Sequence, residues 1–165
     1  MAPSRPVISI EDVNGDRTAL LEEIRFYSKE LGFDSTVYIR INYTLNLSES
    51  VKATLGFKTV NEQFHQVVIY VNQRLNPKNQ SLAIAHELVH ARQYLRKDLL
   101  QLSSGRYTWQ GGQIVNIRRV PYMSRPWEIE AHDLSEKLVQ AYSIHDATRN
   151  QWGDPTSDCF GDVVL

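Results

Sequence analysis

The chain has 165 residues, of which 42% are hydrophobic and 22% charged, and its formal net charge is -1. This length suits one domain with its own core, and the near-zero charge gives no indication of a nucleic-acid or membrane partner. No apolar run reaches the length of a membrane span, and the N-terminus lacks the apolar core of a signal peptide. The single cysteine, Cys159, excludes an internal disulfide and suits a reducing compartment. We therefore expect a cytoplasmic protein, acting in the producing cell or in a host.

The first half of the chain predicts one helix followed by strands. The helix is amphipathic, and Gly32 suits its end. The strands are predicted from the alternation of apolar and polar residues, and this alternation is weakest in the second of the three strands. The predicted elements are an extended arm over 1–15, a helix over 16–31 and strands over 36–45, 51–57 and 64–71.

The pentapeptide His86-Glu87-Leu88-Val89-His90 lies in the middle of the next predicted helix. Apolar residues recur there at helical spacing, no Gly or Pro interrupts the run, and Asn79 or Ser81 can cap its start. Two imidazoles four residues apart stand on one helix face, so both can bind the same metal ion. Glu87 follows the first histidine and can polarise a metal-bound water. The pattern is the HExxH signature of zinc hydrolases.

A catalytic zinc usually takes three protein ligands and a water, so a third ligand is needed. Pro126 predicts the start of a later helix, which carries Glu128 and Glu130 in its first turns. These carboxylates are two residues apart and point to nearly opposite sides. We choose Glu128 because Ala131, on the same face, is small enough for a close approach to the motif helix; Glu130 is the reserve. His132 can hydrogen-bond a zinc-bound imidazole.

The arrangement of His86-Glu87-x-x-His90 followed by Glu128-x-x-Ala131 resembles the gluzincin peptidases. In that clan the third ligand is a Glu with a small residue at plus three and commonly Asp or Asn at plus four, where this chain has His132. The compact length is similar to the minimal gluzincins and the ImmA/IrrE-like group. The likeness runs from about residue 64 to 138 and extends to small phage-encoded metallopeptidases, through the segments His86-Glu87-Leu88-Val89-His90-Ala91-Arg92-Gln93, Trp109-Gln110-Gly111-Gly112, Tyr122 and Pro126-Trp127-Glu128-Ile129-Glu130-Ala131.

The order of elements suits the zincin plan, an α+β fold in which a small twisted mixed sheet packs on the HExxH helix. We expect a single domain over 1–165, with a hairpin over 107–115 around Gly111-Gly112, a second ligand-bearing helix and an irregular tail over 146–165. In this plan an edge strand holds extended substrate by strand addition. The strand over 64–71 directly precedes the motif helix and is the candidate edge. An ordinary interior strand is the equal alternative.

The resemblance implies a zinc metalloendopeptidase that binds one Zn²⁺ through His86, His90 and Glu128 and acts on a protein or peptide. Zinc lowers the pKa of its water and polarises the scissile carbonyl. Glu87 is the predicted general base, taking the water proton and passing it to the leaving amine. The oxyanion needs a further donor, for which Tyr122 is the first choice. Behind it stand Tyr107, His132 and His65, and Gln93 is a candidate to support a ligand.

Two other classes of protein stay open. One is a regulatory or binding module that keeps the fold without turnover, against which the intact Glu87 argues. The other is a DNA-associated protease like the SprT group, whose third ligand is a histidine; His132 or His145 is the candidate for that role. In the tail, Asp158 or Cys159 is a candidate to cover the open zinc position, with a plain surface tail as the alternative.

Overall fold

A computed structural model describes residues 4–13 and 15–152 of the chain and confirms the α+β class. This part of the chain forms three α-helices, two sheets and one 3₁₀ turn, Tyr122–Ser124. The helices are α1 (Arg17–Glu30), α2 (Pro77–Leu95) and α3 (Pro126–Trp152). The strands are β1 (Val7–Glu11), β2 (Val37–Thr44), β3 (Ala53–Val60), β4 (Phe64–Asn72), β5 (Leu99–Ser103), β6 (Arg106–Trp109) and β7 (Ile114–Asn116).

The larger sheet is mixed, as expected, with the strand order β1-β2-β4-β3. Strands β1, β2 and β4 run parallel, and β3 is antiparallel to β4. Alternate residues of β2 and β4 are buried, with Ile39 paired to Val67 and Ile41 to Ile69. These side chains form one core with the apolar faces of the helices, so the sheet is covered on that face and carries exposed residues such as Tyr38 on the other.

The predicted substrate-binding edge is wrong, because β4 is an interior strand. It pairs with β2 on one side and with β3 on the other, so both rows of main-chain groups are already used. Its alternate residues Val67, Ile69 and Val71 are fully buried in the core, which suits a strand in the middle of the sheet. The edges of the sheet are β1 and β3. Strand β1 lies within the predicted extended arm and pairs with β2.

The smaller sheet contains the predicted hairpin and one strand more. Strands β6 and β7 pair antiparallel, and Gln110 and Gly111 supply the positive φ angles, 50° and 72°, of a tight turn. Strand β5 pairs with β6 and follows α2 almost directly, where no strand is predicted. Residues 146–152, predicted as part of the irregular tail, belong to helix α3 instead. Asp158 and Cys159 lie outside the described residues.

Helix α2 begins earlier than the sequence indicates. Its cap is Asn76, whose side chain accepts a hydrogen bond from the backbone N–H of Asn79 at 2.9 Å. Pro77 occupies the first helical position, where the backbone N–H has no partner within the helix, so its absence in proline costs no hydrogen bond. The predicted caps, Asn79 and Ser81, therefore lie inside the helix. Along the part of the chain that is described, no helix has both the length and the apolarity to cross a membrane.

A buried carboxyl on α1 makes stability depend on pH. Burial raises the pKa of Glu23, whose Oε2 has no hydrogen-bond partner among the described residues. The fold therefore favours the protonated acid, and this contribution is full below the unfolded pKa and lost as pH rises through the folded pKa. We expect Glu23→Gln to raise the free energy of unfolding at neutral pH and to raise it less in mild acid, measured by urea denaturation. The exposed Glu30→Gln, on the same helix, is the control; an equal effect of both variants would contradict the prediction.

Candidate metal centre

His86 and His90 of α2 meet Glu128 of α3 where the two helices pack. The Nε2 atoms of the histidines are 3.0 Å apart, and Glu128 Oε2 lies 3.2 Å from each of them. A small tetrahedral ion with bonds of about 2.0–2.1 Å holds its ligand atoms roughly 3.3–3.4 Å apart. The triangle of donor atoms is thus close to the size that such an ion requires, and the cluster could hold a metal ion.

The charge state of the cluster suits metal binding. Burial by itself raises the pKa of Glu128, but hydrogen bonds with His86 and His90 outweigh burial and hold that pKa well below its ordinary value. Burial opposes the charged form of His90, yet its contacts with Glu128 and Gln93 raise its pKa. The carboxylate is therefore kept ionised and draws positive charge toward itself. A bound cation would supply that charge and leave the imidazoles neutral, which is the form that ligates.

A further imidazole, that of His132, lies beside the triangle. Donor atoms of His86, Glu128 and His132 all fall within 4.8 Å of one another, so these three also form a possible ligand group. We favour His90 over His132 because its donor atom lies only 3.0–3.2 Å from the other two. His132 Nε2 is buried without a hydrogen-bond partner in the described chain. Its ring packs against that of His86, with centroids 4.7 Å apart at 58°, and its Nε2 does not make the expected hydrogen bond to a neighbouring imidazole.

The structure separates the two candidate carboxylates, Glu128 and Glu130. Glu128 faces the histidines and is 8% exposed. Glu130 Oε1 instead accepts hydrogen bonds from Arg92 and Gln93, both at 3.4 Å. Ala131 is fully buried, as expected of a small residue where α3 approaches α2. The helix phase chosen from the sequence therefore matches the direction in which each carboxylate points.

Gln93 connects the face of α2 that carries His86 and His90 to the first turn of α3. It is fully buried; its Oε1 lies 2.8 Å from His90 Nδ1, and its Nε2 donates to the carbonyl of Trp127 at 3.0 Å. The amide oxygen can only accept, so His90 carries its proton on Nδ1 and presents the Nε2 lone pair to a metal. Its spacing in the sequence made Gln93 a candidate to support a ligand. Nothing in the neighbouring sequence indicated its hydrogen bond to the carbonyl of Trp127.

We expect Gln93→Leu to weaken zinc binding by roughly 10–100-fold, the range for loss of a group that orients a ligand. The Leu side chain fills similar space but cannot accept the proton of His90 Nδ1. Gln93→Glu keeps an acceptor and should retain more of the affinity. Competition with a chromophoric chelator measures all variants, with the exposed Gln140→Leu on α3 as control. Equal affinity of the Leu and Glu variants would show that the hydrogen bond to His90 does not matter.

Glu87 lies between two cavities that open beside the metal cluster. One, of about 230 Å³, is also lined by His90 and Glu128. The other, of about 460 Å³, is also lined by His86. Burial raises the pKa of the Glu87 carboxyl, although the nearby histidines oppose the shift. A molecule lying across both cavities therefore meets this carboxylate and the metal cluster together.

The phenol of Tyr122 also reaches the cluster. Its hydroxyl lies 3.4 Å from His86 Nε2, and it lines the larger cavity. Burial, followed by the hydrogen bond and charge of Glu128, raises the pKa of Tyr122 above its usual value. The phenol therefore keeps its proton and can donate a hydrogen bond toward the cleft. Tyr107, a reserve candidate for this role, lines the smaller cavity instead.

The remaining histidine candidates have other surroundings. His65 stacks on Phe57 at 5.8 Å and lies 3.2 Å from the hydroxyl of Thr59. The ring of His145 packs against Phe26 at 5.1 Å, where α3 meets α1. The structure thus brings neither residue into the triangle, and His132 is the histidine that lies beside it.

We compared the chain with protein families, with curated proteins and with solved structures, and no match was found. What the site can do is therefore argued from its own residues. These are two imidazoles and a carboxylate of suitable spacing, a second carboxylate beside them, and two adjoining cavities.

Proposed function

We propose that the protein is a zinc-dependent metallopeptidase of the gluzincin type. The observation that carries this proposal is the triangle of His86, His90 and Glu128, with Glu87 beside it at the junction of two cavities. Two nitrogen donors and one oxygen donor leave a position open for water, which is the usual composition of a catalytic zinc site. A purely structural zinc site is usually closed by four protein ligands.

Zinc bound in this triangle would act as a Lewis acid on a carbonyl and lower the pKa of a bound water. Glu87 accepts the proton of the attacking water and delivers it to the leaving amine. The raised pKa of its buried carboxyl suits both steps, because a base poised nearer neutral pH also makes a better acid. Tyr122 donates a hydrogen bond to the oxygen that becomes negatively charged.

Strand β3 is our candidate for holding an extended peptide. It is an edge strand, and it contributes one residue to each cavity: Ala53 lines the larger one and Leu55 the smaller. A peptide added to this edge runs past both cavities and past Glu87. Main-chain hydrogen bonds then provide affinity, and the cavities receive side chains.

The proposal is tested by metal analysis and by identifying cleaved bonds. The purified protein is expected to contain about one zinc per chain and to cleave peptides from a denatured proteome digest, with new termini identified by mass spectrometry. Chelation should abolish cleavage, and zinc should restore it. A protein that is fully loaded with zinc and cleaves no peptide would refute the peptidase assignment and favour a binding module.

A further inference from the structure

The phenol of Tyr122 lies closer to the metal cluster than a hydrogen-bond donor for a substrate would need to lie. Its hydroxyl oxygen is 3.4 Å from His86 Nε2, and its hydrogen bond with Glu128 helps to keep the pKa of that carboxyl low. The phenol oxygen therefore contacts two of the three proposed ligands directly. A donor that waits for a substrate oxygen stands farther out, about 2.7–3.1 Å beyond the place which that oxygen takes.

The separations within the cluster are those of a tetrahedral coordination shell. His86 Nε2, His90 Nε2 and Glu128 Oε2 lie 3.0–3.2 Å from one another. Bonds of about 2.0–2.1 Å to a tetrahedral zinc hold the ligand atoms roughly 3.3–3.4 Å apart. At 3.4 Å, the phenol oxygen of Tyr122 thus stands from His86 Nε2 at the distance of one ligand atom from another.

Two neighbours hold the Tyr122 ring in this position. The guanidinium carbon of Arg125 lies 5.6 Å from the ring centroid, and the ring of His132 meets it edge-on at 5.9 Å and 86°. Arg125 is itself fixed, since its Nε and Nη2 donate to the carbonyls of Val120 and Ile117 at 3.3 Å and 3.0 Å. A cation over the ring is attracted to its electron-rich face and favours the phenolate, which is the form that binds a metal ion.

The Tyr122 side chain can leave the cluster while the backbone stays in place. The backbone is held by the N–H of Arg125, which donates to the Tyr122 carbonyl at 3.2 Å. The side chain is different, because Tyr122 is 45% exposed and lines the larger cavity. Side chains with this exposure change rotamer quickly. Rotation about the Cα–Cβ bond is therefore enough to withdraw the phenol from the cluster.

We propose that Tyr122 is the fourth ligand of the resting metal centre and that an arriving substrate oxygen displaces it. The inference rests on the proposed function and adds its regulation, since four protein ligands close the site until a substrate enters. Ligation breaks the O–H bond of the phenol, forms an oxygen–metal bond and releases the proton to solvent. On displacement the phenolate takes a proton back from solvent and becomes the hydrogen-bond donor of the proposed mechanism.

Copper(II) is the first probe, because it binds nitrogen and oxygen sites more tightly than zinc and gives a visible charge-transfer band with a bound phenolate. The copper-loaded protein is expected to show this band. Tyr122→Phe should bind copper through the three remaining ligands but lose the band. The control Tyr107→Phe, at the smaller cavity, should keep it. Absence of the band from the wild type, or its survival in Tyr122→Phe, would overturn the proposal.

Displacement is tested in the wild-type protein, with no substitution. Acetohydroxamate, a small chelating ligand with two oxygen donors, is titrated into the copper-loaded protein. Calorimetry follows its binding, and absorbance follows the phenolate. The band should disappear in proportion to the bound acetohydroxamate. A band that stays at full intensity when the ligand is bound would refute displacement of the phenol.

Zinc affinity provides a readout on the proposed metal itself. With the closed form populated to about 90% or more, loss of the phenol oxygen weakens zinc binding about 10-fold or more. Chelator competition should show this decrease for Tyr122→Phe and no change for Tyr107→Phe. Equal affinities of the wild type and Tyr122→Phe would show that zinc does not take the phenol as a ligand.

The outcome is separable from that of the peptidase assignment. If the copper-loaded protein shows the band, Tyr122→Phe loses it, and the zinc-loaded protein cleaves no peptide, the ligation stands and the proposed catalysis fails. If the zinc-loaded protein cleaves peptides while the copper-loaded protein shows no band, the catalysis stands and the ligation by Tyr122 fails.

Discussion

Replacement of Glu87 by Gln is expected to leave zinc in place and to reduce peptide hydrolysis by roughly 10²–10⁴-fold, the usual contribution of a positioned base. The amide keeps the shape of the carboxylate but cannot accept the proton of the attacking water. His86, His90 and Glu128 are untouched, so the metal content should match that of the wild type. Steady-state kinetics on a cleaved peptide, with metal analysis of the same sample, makes the measurement.

The exposed Glu62→Gln, in the turn between β3 and β4, is the control for removing one negative charge. It should retain both zinc and activity. Full activity of Glu87→Gln would remove the general-base assignment. Loss of zinc from that variant would instead make Glu87 a ligand, contrary to the geometry in which Glu128 faces the two histidines.

Replacement of Glu128 by Ala is expected to weaken zinc binding by more than about 100-fold, beyond the range for groups that only support a ligand. The variant removes the oxygen donor from the triangle and leaves two imidazoles. Glu130→Ala should retain the metal, because that carboxylate bonds to Arg92 and Gln93. Chelator competition compares the two variants under identical conditions.

His132→Asn decides between the two possible ligand groups. With His90 as the ligand, this variant should keep zinc, because the tighter triangle remains complete. Loss of zinc from His132→Asn with retention in Glu128→Ala would give the site a third histidine. The chain would then fit the DNA-associated class of proteases better than the gluzincins.

That His86, His90 and Glu128 lie close together could be largely anticipated, because the positions of these residues on their helices are set by local spacing. Helical spacing places His86 and His90 on one face, and the phase of the next helix favours Glu128 over Glu130. The link from Gln93 to the Trp127 carbonyl could not be anticipated, since it depends on how closely α2 and α3 pack. His132 lies beside the triangle, as predicted, but its ring packs against His86 and its Nε2 does not make the predicted hydrogen bond to an imidazole.

Strand order was the part of the fold that local pattern did not determine. The alternation in β4 identified a strand, but pairing with β2 and β3 is a long-range property that no single segment encodes. The length of α3 was missed for a similar reason. Its last turns are supported by an ion pair of Arg149 with Glu22 on α1, a partner distant in sequence.

The contacts of Gln93 place a single side chain between His90, a proposed metal ligand, and the main chain of Trp127, whose ring lines the smaller cavity. The cavity and the candidate metal site are therefore linked through the side chain of Gln93 alone. If binding at one of these sites changes the affinity of the other, the effect must be reciprocal. A ligand in the cavity would then strengthen metal binding by the same factor by which the metal strengthens binding of that ligand. With zinc bound as proposed, the protein would then hold the ion most tightly while a ligand occupies the cavity.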